Sequence, residues 1–291
     1  MAAITDVPSS APARRIKVQT ALLWLAALEL ILVFAPTMKW LYGRWTMSVW
    51  HNAHGLLIFP VVAWFCYQEL RRFSGPPAEG SAWGFAFVVP ALALHVADTS
   101  MHTELLSAVA LVLLLPGLAL LVLGVPRTRA IGFPLAFAAF ALPIPLSMTE
   151  SIHLWLRHIV TAGVSVVLPF LGVSHYIEGT TIHLANGALQ IADACSGFST
   201  LYAALAVGCL LAYTTPGWIR RTVTIGAAVP LAIGANILRV LLLVVLVHWR
   251  GEAILETWVH PASGMLTFAI SLPVLFWIAQ PPRVPKKVGA L

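Results

Sequence analysis

Apolar and polar residues are grouped in blocks along this chain instead of alternating singly. A mostly apolar run of about 20 residues crosses a bilayer as a helix. Candidate runs lie near residues 20–35, 53–68, 82–97, 105–125, 130–148, 198–213, 222–248 and 261–280. The pattern predicts an all-α integral membrane protein with about eight transmembrane helices. Arg14, Arg15 and Lys17 precede the first run in the manner of a signal peptide, but no A-x-A-like cleavage site follows, so the run reads as a retained anchor.

The segment 151–172 is ambiguous, because its second half is apolar while its first half carries His153, Arg157 and His158. Charge arbitrates. With the N-terminus inside and this segment not crossing, twelve basic residues, among them Arg71, Arg72, Arg127, Arg129, Arg220 and Arg221, fall on the cytoplasmic side. Only Lys39, Arg44, Arg157 and Arg250 fall outside. A crossing here would move Arg220 and Arg221 outside, against the positive-inside rule. The segment is therefore expected to form an interfacial or re-entrant helix on the outer face, with His153 and Arg157 wet. Trp40, Tyr42, Trp45 and Trp50 suit an aromatic belt on that side.

Residues 173–194 are more polar, with Ile182 and Leu184, then Asn186-Gly187, then Leu189 and Ile191. An Asn-Gly pair between alternating runs signals a tight hairpin, so a small outer β-hairpin is expected before the seventh span. The organisation is then a cytoplasmic tail at 1–19, a single polytopic membrane domain at 20–280 with the outer helix and hairpin at 151–194, and a basic cytoplasmic tail at 281–291.

Composition agrees. Of 291 residues, 59% are hydrophobic and 10% charged, against about 25% charged in a soluble domain. The net charge of +6 comes from short basic clusters between apolar runs, which fits contact with membrane lipid and not with nucleic acid. Three cysteines are too few and too scattered for a disulfide framework. No phosphate-cradling loop or dinucleotide fingerprint occurs, and no cofactor is expected.

Three residues stand out chemically. Cys195, in Ala194-Cys195-Ser196-Gly197, sits where an outer loop enters a span, and a helix N-terminus favours a thiolate. Arg239, in Asn236-Ile237-Leu238-Arg239, is the one basic residue inside a predicted span, a costly placement that requires a reason. Its nine-residue separation from His248 puts it about 13 Å below the outer end. The length of the 222–248 run would allow the helix to project outward and raise it. His260, in His260-Pro261-Ala262-Ser263-Gly264, begins the last span. A thiolate nucleophile, a fixed cation and an imidazole are the parts that acyl transfer needs.

With Ala-Cys-Ser-Gly, Asn-x-x-Arg and His-x-x-x-Gly in this order, the chain resembles the exosortase/archaeosortase family from about Trp50 to its end. His54-Gly55, Pro143-Ile144-Pro145, Gly172 and Glu178-Gly179 support the match. The resemblance implies a cysteine transpeptidase of the bacterial inner membrane, multi-pass, with both termini cytoplasmic and its site facing the periplasm. It implies Cys195, Arg239 and His260 as the catalytic set, the histidine pointing to the exosortase branch. His54, Ser196, Gly197, Asn236 and Glu178 are supporting candidates. The implied substrates are exported, exopolysaccharide-associated proteins with a C-terminal Pro-Glu-Pro (PEP-CTERM) sorting signal, transferred to an acceptor that the sequence does not identify. Arg239 would serve either the oxyanion or the glutamate of that signal.

Two other readings remain. Ten histidines on or near the outer side, with His95, Asp98, His102 and Glu104 clustered and His51 and His54 three apart, would suit a metal or haem protein. Glu29, Arg239 and the Gly/Pro-broken stretch 226–234 would suit a transporter. Glu29 is expected as a buried neutral acid or as the partner of Arg239.

Overall fold

The computed structural model describes residues 11–46, 54–75, 79–192 and 195–280. Residues 1–10, Trp50, His51, Ala194 and the tail 281–291 lie outside the described residues. Nine α-helices occur among the described residues: α1 (Ala11–Thr46), α2 (Gly55–Arg72), α3 (Phe85–Met101), α4 (Leu105–Ala130), α5 (Gly132–Phe137), α6 (Leu146–Val167), α7 (Phe198–Thr214), α8 (Trp218–Arg250) and α9 (Val259–Ala279). Three strands, β1 (His175–Glu178), β2 (Thr181–Leu184) and β3 (Gly187–Gln190), intervene between α6 and α7. The chain is a helical, multi-span membrane protein. Six of the described helices are long and apolar enough to cross a bilayer.

The chain forms two compact units, Met1–Gly43 with Pro76–Thr128, and Arg44–Gly75 with Arg129–Leu291. In the first, Phe34 of α1 packs with Ala91 of α3 and with Ala110 and Leu114 of α4. The α3–α4 turn holds His102 and Glu104 at positive φ. It is fastened by the buried Asp98 carboxylate, which accepts from the Thr103 hydroxyl and from the Ser107 backbone N–H at 3.2 Å. His95 Nδ1 pairs with Ser107 Oγ at 2.9 Å. This cluster therefore closes a helix start, and no group of three potential ligands able to hold a metal occurs among the described residues. Glu29 is exposed on α1, contrary to the expected burial.

The second unit departs from expectation at the fifth apolar run. The run predicted at 130–148 is not one long helix: α5 gives way to a 3-10 turn over Ala138–Ala141, and extended chain at Leu142 leads through Pro143-Ile144-Pro145 into α6. Two prolines remove the N–H groups that would continue the helix, so the carbonyls at its end need other donors. Side chains supply them. Tyr202 Oη stands 3.4 Å from the carbonyls of both Ala139 and Leu142, which share its one proton, and Trp45 Nε1 donates to Ala141 O at 2.9 Å. Trp45 is accordingly buried and is not part of an aromatic belt. Gly55 accommodates its indole, since a Cβ there would fall 2.2 Å from Nε1.

The ten residues of α5 and this turn, about 17 Å long, lie along part of α7. Phe133 stacks on Tyr213 near the C-terminal end of α7, with ring centroids 4.0 Å apart, and Phe140 meets Tyr202 near its start at 5.4 Å.

Helix α8 has 33 residues and α7 has 17, and the difference positions the site. Gly197, at the start of α7, abuts Asn236 of α8. The fourteen residues of α8 beyond Asn236 extend about 21 Å past α7. Val240, Leu243 and Val244 on this projection form one core with Val160 and Val164 of α6, with Leu168 of the 3-10 turn that follows it, and with Ile182, Leu189 and Ile191 of the sheet segment. Within segment 151–172, α6 runs to Val167 and a 3-10 turn continues to Leu171; the two together are long and apolar enough to cross a bilayer and pack beside this projection. The expected hairpin is a three-stranded antiparallel sheet in the order β1-β2-β3. Leu184 pairs with Gly187, so the second loop is Ala185-Asn186, with Gly187 as the first residue of β3. Gly179, at φ +60°, begins the other two-residue loop.

Candidate active site

Cys195 is held from three directions. Its backbone N–H donates to Ala192 O at 2.9 Å, its carbonyl accepts from Asn236 Nδ2 at 3.0 Å, and its side chain joins the core of α6, the sheet and α8. After the thiol, Gly197 takes φ +87° and turns the chain into α7. Only glycine fits: beyond the positive φ, a Cβ would stand 2.6 Å from Asn236 Cγ.

His260, in the first turn of α9, brings Nε2 to 3.6 Å from Cys195 Sγ across 65 residues of sequence. Arg239 lies one turn beyond Asn236 on α8 and is 6% exposed. Its Nε donates to Ser263 Oγ at 3.1 Å, and Ser263 donates to His260 O at 2.7 Å. Within this unit, no carboxylate is paired with Arg239 among the described residues. Burial pushes the Cys195 thiol above its ordinary range, and the positive charge of Arg239 pulls in the opposite direction. The structure therefore brings Cys195, Arg239 and His260 together, with Ser196, Gly197 and Asn236 at the same junction.

Two supporting candidates lie elsewhere. Glu178 is exposed on β1 and pairs with His183 at 3.4 Å. Alternation along the strand explains this: Ile177, opposite Ile182, shares the core-facing side, so Glu178 faces the other way. His54 precedes α2 and meets the Tyr202 ring edge-on at 5.0 Å. It has no direct contact with Cys195.

His153 is the reverse case. Expected to be wet, it is buried, its Nδ1 pairs with Ser196 Oγ at 2.8 Å, and its ring packs on Phe198 at 4.6 Å. The signal was present in the sequence, because His153 falls on the same helical stripe as Leu156, Val160 and Val164. Ser263 was also missed as a contributor. Its spacing to Thr267 and Ser271 marks the buried side of α9.

Fold and site together define a multi-span membrane protein that joins a thiol, an imidazole and a guanidinium where a short helix meets a long one. A family model for transmembrane exosortases (Exosortase_EpsH) matches residues 45–277, and the chain belongs to that family. Membership carries a membrane transpeptidase-type role toward proteins bearing sorting signals. No curated protein and no solved structure matches the chain.

Proposed function

We propose that this protein is an exosortase-type cysteine transpeptidase that removes the C-terminal PEP-type anchor of exported proteins through a Cys195 acyl-enzyme. The observation that carries the reading is the 3.6 Å approach of His260 Nε2 to Cys195 Sγ, a nucleophile within reach of its base.

The proposed steps use these groups as follows. His260 takes the thiol proton, and the sulfur attacks the carbonyl carbon at the signal while the C=O π pair moves onto oxygen. Arg239 holds that oxyanion. The Cys195 backbone N–H, often the donor in such sites, is already given to Ala192. Collapse restores the carbonyl, breaks the C–N bond and sends the proton on His260 to the leaving amine, freeing the anchor helix. The acceptor then attacks the thioester and passes its proton to His260. The carbonyl re-forms, and Cys195 leaves as thiolate and regains the proton. Preorganised donors in a dry site contribute about 3–4 kcal/mol to such a step.

The same topology governs placement. Seventeen residues give α7 a length of about 25 Å, close to a hydrocarbon core of roughly 30 Å. The junction at Gly197 and Asn236 then lies near one membrane surface, with the end of α8, α6 and the sheet standing outside it. Basic clusters put the other ends of the helices in the cytoplasm, so both termini are cytoplasmic and the site faces the periplasm of a bacterial inner membrane.

Co-expression with a tagged protein ending in Pro-Glu-Pro, an apolar helix and a basic tail tests the reading. Wild type is expected to shorten the tagged protein, and Cys195→Ala to leave it anchored. Equal shortening by both defeats the proposal.

A further inference from the structure

We infer that Ser263 is a positioning residue for Arg239: its hydroxyl fixes the plane of the guanidinium and ties that plane to the turn of α9 carrying His260. The inference rests on the reading of Cys195, Arg239 and His260 as the reacting site. It rests also on the direction of two hydrogen bonds. A hydroxyl has one proton, and Ser263 gives it to His260 O at 2.7 Å. The oxygen is left as acceptor for Arg239 Nε at 3.1 Å, a position that only donates.

This is the one hydrogen bond of Arg239 among the described residues, and it engages the inner nitrogen. The two terminal nitrogens keep their donors for a reacting oxygen or sulfur. Without the tether, rotation along the side chain would swing those donors away. Gly264 reinforces the arrangement: a Cβ there would lie 3.4 Å from Arg239 Cζ, so the guanidinium rests close against this turn. Ser263 is 3% exposed, and water is a poor substitute for its hydroxyl. A donated bond to His260 O polarises the hydroxyl and strengthens its acceptance from Arg239.

The test uses full-length protein in a Cys66→Ala, Cys209→Ala background, so that alkylation by iodoacetamide reports on Cys195 alone. The pH profile of alkylation is recorded with the processing kcat and KM. Ser263→Thr and Ser263→Val have the same shape and differ in the hydroxyl, so their comparison removes packing from the result. The expected outcome is that Arg239→Gln moves the profile to higher pH. Ser263→Val and Ser263→Ala should move it part of the way, lowering kcat with KM little changed, and Ser263→Thr should stay nearer wild type. If Arg239→Gln moves the profile while Ser263→Val matches Ser263→Thr in both profile and kcat, the positioning role is overturned and the site reading stands. If Arg239→Gln itself leaves profile and processing at wild type, Arg239 has no part in the reaction and both fall.

Discussion

Gly197 and Asn236 meet so closely that a methyl on the glycine would fall 2.6 Å from Asn236 Cγ. This contact is where α7 stops against α8, and it sets the level of the thiol two residues earlier. Gly197→Ala adds a left-handed penalty of about 1–2 kcal/mol to that collision. The expected result is a lower Tm and a processing rate reduced well beyond what the stability loss explains, measured by thermal unfolding in detergent and by substrate shortening.

Asn236 secures the loop from the other side by donating to Cys195 O. Asn236→Ala leaves that carbonyl without its donor, a loss of about 1–3 kcal/mol for a buried group. Asn236→Asp is expected to be worse, because a carboxylate opposite a carbonyl repels it. Ranking the two variants by Tm and by processing checks the order.

How much of this was legible in the sequence depended on the kind of signal. Arg239 was conspicuous because a charge in an apolar run has no local explanation, and Cys195 and His260 because each opens a span. The level of Arg239 was less accessible: counting from His248 gave its depth along α8, whereas its height relative to Cys195 depends on how far α8 outruns α7. The break in the fifth apolar run was hidden because its composition stays apolar through Pro143 and Pro145, and a hydropathy window registers polarity and not the missing N–H groups. Trp45 looked like an interfacial anchor until the carbonyl at Ala141 gave its indole a buried partner. Strand β1 was hidden because Tyr176 and Glu178 lie on the exposed side of a short edge strand.

His153 supplies a prediction in which shape and hydrogen bonding separate. His153→Phe keeps a ring against Phe198 and loses the bond to Ser196. A stability loss of about 1 kcal/mol is expected, with slower alkylation of Cys195 as the adjoining Ser196 loosens. Glu178→Ala serves as the contrast. Its ion pair with His183 is exposed, and such pairs contribute about 0–1 kcal/mol, so processing should equal wild type.

The pH behaviour of Cys195 follows from its burial, which raises the thiol, with Arg239 opposing. The folded site therefore favours the neutral thiol. Its contribution to stability is present below the ordinary thiol range and is lost as pH rises through the raised value. Alkylation of the substrate-free protein should accordingly rise at higher pH than alkylation of the same cysteine in denatured protein. Iodoacetamide rates from pH 7 to 10 in both states check the sign.

The central claim, an acyl group carried on Cys195, is tested most directly by mass spectrometry of enzyme and substrate quenched in acid. The account predicts a Cys195 peptide bearing the substrate through a thioester that neutral hydroxylamine removes, and no such adduct in Cys195→Ala. Substrate shortened at the wild-type rate by Cys195→Ala, with Cys195 unmodified throughout turnover in the wild type, would contradict it.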